Sequence, residues 1–131
     1  MTWSVSILPK ADQDLKELSK DPATRKSIED AILAEFNGLK GVRVTKLFVQ
    51  GTSTGSIDKL AAASFPGSIR LQVFADYRAA VLCLPAFSQA YVTHIFHKSH
   101  DPNYKRAAAV HDARAAEFIG TFQDFMSKRK R

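Results

Sequence analysis

Thiol chemistry is nearly absent from this sequence, which holds one cysteine, Cys83. It cannot close an internal disulfide, and it lies in an apolar run. That excludes a disulfide scaffold and suits a buried small hydrophobe in a reducing compartment, rather than a nucleophile. Long hydrophobic runs are missing too. The longest, "AAVLCLPAF", is far shorter than the roughly 20 residues a membrane-crossing helix needs, and Pro85 interrupts it. The N-terminal "MTWSVSILPK" has no charged leader followed by a long apolar stretch, so no secretion signal is expected and the expected location is cytoplasmic. "GTSTGS" (51–56) lacks the Gly-Lys-Ser/Thr ending of a phosphate loop, and no helix is evident after it. Acidic residues are outnumbered, 13 against 19 Lys and Arg, which leaves a net charge of +6. A basic surplus speaks to partners and solubility rather than to fold, and here it suits nucleic acid or an acidic protein.

What is present fits a single domain. With 131 residues, 45% of them apolar, the chain can bury one core. Residues 1–131 are therefore expected to form one unit, with 126–131 a frayed basic tail. "WSVSILP" (3–9) alternates, which predicts a strand that Pro9 ends. "ADQDLKELSK" (11–20) predicts a short helix with Leu15 and Leu18 on one face. In "DPATRKSIEDAILAEFNG", Asp21 can cap a second helix and Pro22 suits its first position. Its apolar stripe is Ile28, Ile32, Phe36 and Leu39, and Asn37-Gly38 supplies the stop. "VRVTKLFV" reads as a strand. From Ile57 the reading is β structure: "SIDKLAAA", "IRLQVF", "YRAAVLCL" and "AYVTHIFHK", with turns at "FPGS", "AD" and "PAFSQ". "YKRAAAVHDARAAEFIGTFQDFMSKRKR" predicts a long final helix, with Val110, Ala113, Phe118, Phe122 and Phe125 as apolar positions and Gly120 a potential break. The class is α+β: a β-α-α hairpin, an antiparallel sheet of three to five strands, and a C-terminal helix.

The chemistry concentrates near the ends of the later strands. A charge in an apolar strand is costly unless something pairs with it, and "IRLQVFADYRAAVLCLP" carries Arg70 and Arg78. With Tyr77-Arg78 and the loop "HKSHDPNY" (97–104), these can converge on one side of the sheet. Parity decides whether the arginines share a face. A strict two-residue turn at Ala75-Asp76 sends Arg78 to the opposite face, whereas a bulge or three-residue turn restores a common one. A structural role for Arg78 would be an ion pair with Asp76 or Asp58. Arginine's planar fork fits phosphate, histidine exchanges a proton near neutrality, and tyrosine can stack on a base. Cleavage of RNA by its own 2′-hydroxyl needs a base, charge stabilisation, an acid and in-line positioning, all within reach of such side chains without metal or cofactor. His94, His97 and His100 are three apart, but strand alternation separates His94 from His97, which speaks against a metal site. His94 reads as a satisfied structural histidine and His111 as a surface residue.

The pattern resembles the RelE/ParE superfamily of toxins, and within it the HigB-like branch. The resemblance rests on "ADYR" opening a strand after a hairpin and on "HIFHKSHDPNYKRAAAVHDARAAEF" leading into the last helix. It spans Trp3 to Phe118. It implies a toxin held inactive by a cognate antitoxin, expected to be a small helix-turn-helix protein, and acting on mRNA at the ribosome. On that reading Arg78 would hold the scissile phosphate and Arg70 would match the basic residue of the preceding strand. Lys98, with His97 or His100, would match the basic residues after the last strand, and Tyr104 the tyrosine before the final helix. Residues 40–57 resemble an insertion relative to compact members, and Ser99-His100 replaces the second basic residue of the catalytic loop. The ParE branch implies an alternative: the same fold without a nuclease site, inhibiting DNA gyrase by protein binding.

Overall fold

The structure is a computed structural model that describes residues 3–36, 57–65, 67–84, 87–101 and 104–129, with 122–129 as backbone only. The expected stop at Asn37-Gly38, Leu39, the 42–49 strand and the 51–56 loop lie outside the described residues. So does the proposed insertion, apart from Ile57.

The chain runs β1 (Ser4–Ile7), α1 (Pro9–Leu18), α2 (Pro22–Phe36), β2 (Ile57–Lys59), β3 (Ser68–Gln72), β4 (Tyr77–Leu84), β5 (Gln89–His97), a short 3-10 turn (Lys98–His100) and α3 (Lys105–Arg129). The strands form one five-stranded sheet in the order β1-β5-β4-β3-β2. The β2–β3, β3–β4 and β4–β5 pairs are antiparallel, and β1 joins the edge parallel to β5. The expected α+β architecture is therefore the one observed.

Local chemistry explains the helix starts. Pro9 closes β1 but also opens α1, two residues before the expected start, because its fixed φ and missing N–H suit a first helical position. Asp21 caps α2 as expected: Oδ1 accepts from the Ala23 N–H at 3.2 Å and Oδ2 from the Thr24 hydroxyl at 2.8 Å. On one face of the sheet Leu15, Ile28, Ile32 and Phe36 are fully buried against Ile69, Leu71 and Val81, forming the main core. A smaller cluster lies apart from it, where Ala107 and Ala108 of α3 pack with Leu60, Ala80 and Phe96.

Three expectations about the later chain are corrected. The buried positions of α3 are Ala107, Ala108, His111 and Ala115, not Val110 and Ala113. Small side chains let the helix lie close on the sheet, so alanine outcompetes larger residues for that face. The helix passes through Gly120 unbroken and continues to Arg129, so the basic segment starts inside a helix rather than as a frayed end. His111 is fully buried, not on the surface. Cys83 is buried as expected, and burial pushes its thiol well above the usual range.

The β3–β4 connection settles the parity question. Gln72 pairs with Arg78 and Arg70 with Ala80, which leaves the three residues Phe74–Asp76 in the turn. The Tyr77 N–H bonds the Phe74 carbonyl at 2.9 Å, and Ala75 takes a left-handed φ of 50°. Arg70 and Arg78 consequently share a face of the sheet.

Candidate functional site

Arg70 stands in the middle of β3 with its side chain 14% exposed. Its Nη2 lies 3.6 Å from the Asp58 carboxylate, and its guanidinium sits 5.4 Å above the Tyr104 ring. Its Nη1 is buried and has no hydrogen-bond partner among the described residues. A buried donor without an acceptor costs about 1–3 kcal/mol, so this guanidinium is short of an anion or carbonyl. Tyr104 is held at a left-handed φ of 57°, a strained backbone for so bulky a residue, and it meets Phe96 edge-on at 5.8 Å. Phe96 in turn stands opposite Arg78 across the β4–β5 ladder.

Arg78 is only 5% exposed. It pairs with neither Asp76 nor Asp58. Its Nη1 donates to the carbonyls of Ala75 at 3.1 Å and Tyr77 at 2.9 Å, which clamps the turn that sets the register. Its Nε is buried and unpartnered among the described residues. Of the two acids offered as structural partners for Arg78, Asp58 stands beside Arg70 instead, because β2 pairs Asp58 directly with Arg70. One sheet face thus gathers Arg70, Arg78 and Tyr104 around Phe96.

The remaining candidates sit around the end of β5. His97 is opposite Tyr77, on the other face, with the two rings edge-on at 5.1 Å. Its Nδ1 is 2.7 Å from the Ser99 hydroxyl, and its ring centre is 5.6 Å from that of His100. Lys98 is exposed, and its backbone N–H bonds the Asp76 carbonyl at 2.8 Å, tying this segment to the Arg78 turn. The 97–100 segment is therefore next to the arginine face but not on it.

Sequence reading passed over a second cluster. His94 is a satisfied histidine as expected, but its partner is Asp14 of α1, whose Oδ2 accepts from His94 Nδ1 at 2.7 Å. The same carboxylate accepts from Arg114 of α3, with 3.2 Å from Nη2 to Oδ1, and from the Ile95 N–H at 3.3 Å. Arg114 also reaches the Thr93 carbonyl at 2.9 Å. β1 is too short to cover this end of β5, so Asp14 supplies the acceptor that a neighbouring strand would otherwise give. Burial of Asp14 works against its charge, but the hydrogen bonds and charges of His94 and Arg114 prevail and hold its carboxyl below the usual value. The available signal was an acid beside the Ala11–Leu15 core face of α1; nothing in sequence spacing joins it to residue 94 or 114.

His111 completes the polar interior, with Nε2 2.7 Å from the Ser68 hydroxyl and Nδ1 2.6 Å from that of Thr93, the extra residue at the β-bulge opposite Ala80/Val81. Burial depresses its pKa, only partly offset by Asp112. A histidine depressed in the fold binds its proton more readily when unfolded. Its stabilising contribution is full above the unfolded value of about 6.5 and is lost as pH falls through that value toward the folded one. Thermal melts from pH 8 to pH 5 are expected to show Tm falling below about pH 6.5, and His111→Gln should flatten that part of the slope.

No helix among the described residues is long and apolar enough to cross a membrane. No family model and no curated protein matches the sequence. Solved structures do match the fold. An arginine double mutant of the E. coli toxin RelE in the free state aligns with a TM-score of 0.51 at 11% identity, over 84% of this chain and 96% of that one. The RelBE2 toxin-antitoxin complex from Mycobacterium tuberculosis gives a TM-score of 0.47 at 13% identity, over 74% and 99% of the two chains. With its sheet order, its paired N-terminal helices and its final helix, the chain has the RelE-like fold.

Proposed function

We propose that this chain is the toxin of a type II toxin–antitoxin pair, of the HigB-like branch, and that it cleaves mRNA on the ribosome. One observation carries the reading: two guanidinium groups on one sheet face, Arg70 and Arg78, each keep a buried N–H without an acceptor among the described residues, beside a strained tyrosine. A phosphodiester oxygen is the acceptor such forks fit best. Arg70 binds the scissile phosphate and steadies its extra negative charge as the 2′-oxygen bonds to phosphorus and the 5′-oxygen leaves. Arg78 holds the turn and adds its field to the same face. Tyr104 supplies a ring for the flanking base. Lys98 and His100, at the strand end beside that face, attract the strand; His100 takes the proton from the 2′-hydroxyl and returns one to the leaving oxygen, and His97, on the opposite face, positions the 98–100 turn through Ser99. No cofactor enters the scheme. The basic surplus also suits an acidic antitoxin segment that wraps the toxin and folds on contact.

The test is in vitro translation with mapped mRNA ends, run beside a gyrase supercoiling assay. Ribosome-dependent cuts support the nuclease. Intact mRNA with inhibited supercoiling would assign the fold to the ParE-like activity instead.

A further inference from the structure

Between α1 and α3, along the end of β5 that β1 leaves uncovered, lies a cleft of about 360 Å³ lined by His94, His100, Arg106 and Arg114 together with Leu18 and Val110. We infer that this cleft is a second phosphate site, taking a nucleotide with its phosphate against Arg106 and His94 and its apolar part against Leu18 and Val110. Its volume falls in the range of small-ligand sites, roughly 300–1,000 Å³.

Two of the three acids of the cleft are held by other partners. Asp14 is neutralised by Arg114 and oriented by His94. Asp101 gives its carboxylate to the backbone N–H groups of Arg106 and Ala107, at 3.4 and 2.6 Å. Glu17 stands exposed on the α1 rim, where it accepts from the neutral Gln13 amide at 3.3 Å and keeps its charge in water. The Arg106 guanidinium, by contrast, has no hydrogen-bond or ion-pair partner among the described residues, although it lines the cleft. His94 is prepared for a ligand. Because a carboxylate can only accept, Nδ1 carries the proton toward Asp14 and Nε2 is left without a partner among the described residues. The ring is further fixed by stacking on Phe96, at 5.3 Å and 16° between planes. An imidazole held by an acid behind it, with its other nitrogen free in a cleft that the exposed Arg106 also lines, is an anion-recognition geometry.

The inference extends the reading above, and rests on it for the nucleotide. Phe96 contacts both His94 and Tyr104, so the cleft adjoins the Arg70 face and can take the neighbouring phosphate of the same bound strand. The experiment is NMR titration of the intact chain, without ribosomes, with inorganic phosphate and separately with uridine 3′-monophosphate. Resonances of the His94 ring and the Arg106 side chain should shift saturably with both, and more tightly with the nucleotide. Arg106→Gln should weaken both at least tenfold. Lys10→Gln, which removes an exposed pair with Glu117 outside this cleft, should not. Shifts that fail to saturate, or an Arg106→Gln variant no different from Lys10→Gln, would overturn the site. Saturable phosphate without saturable nucleotide would overturn its ligand. Phosphate binding intact while mRNA stays uncut would count against the nuclease reading alone.

Discussion

Arg70→Ala is expected to reduce ribosome-dependent mRNA cleavage about 100-fold or more, the usual cost of removing one preorganised donor from a developing anion. The fold should tolerate the change. Among the described residues Arg70 is tied only to Asp58, at 3.6 Å and with the acid 46% exposed, and to the Tyr104 ring. At that distance and with the acid open to solvent, the pair contributes about 0–1 kcal/mol. Removing Arg70 also removes a buried N–H that lacks an acceptor among the described residues, which offsets part of the loss. Thermal unfolding measured beside the cleavage assay should therefore show Tm nearly unchanged. Arg78→Ala is a poorer probe, although the sequence makes Arg78 the more conspicuous residue. It would release the Ala75 and Tyr77 carbonyls of a buried turn, so activity and stability would fall together. Reduced cleavage with an unchanged melt belongs to Arg70.

Arg114→Ala carries the largest expected loss of stability. Its guanidinium joins α3 to α1 through both Asp14 oxygens and to β5 through the Thr93 carbonyl. Truncation leaves the Asp14 carboxylate, 14% exposed, with His94 and one backbone N–H. Breaking a fully buried pair costs about 3–5 kcal/mol; partial solvent access here lowers the expectation to about 2–3 kcal/mol, a drop in Tm on the order of 10 °C. The pH dependence gives a second check. Asp14 is an acid held below its ordinary value, so its stabilising contribution is present above about pH 4 and is lost as pH falls through the folded value. Acid unfolding of the wild type should steepen in that window, and Arg114→Ala should flatten it.

Much of this architecture was legible from local rules. Alternation in residues 3–7 and the Asp21-Pro22 cap need only near neighbours, so strand and helix were readable there. The helix-spaced Ile28, Ile32 and Phe36 likewise declared their buried face. Registration across strands was not readable, because one extra turn residue flips every later side chain. The shared face of Arg70 and Arg78 hangs on Ala75 adopting a left-handed φ, which alanine's composition signal does not announce. Long-range polar pairing was equally silent. His111 looked like a surface residue because its partners, Ser68 and Thr93, come from two different strands. Asp14 and Arg114 lie 100 residues apart, yet meet because a short β1 leaves β5 open. Alanines on α3 were underrated for a related reason: close helix–sheet approach rewards small side chains, which hydrophobic periodicity scores weakly.

The most direct measurement is mapping of mRNA ends after translation with purified ribosomes, comparing the wild-type chain with an Arg70→Ala variant shown by its melt to be folded. The account predicts discrete ribosome-dependent cuts with the wild type and about 100-fold fewer with the variant. Cleavage at full rate by the folded variant, or untouched mRNA with the wild type, would contradict it.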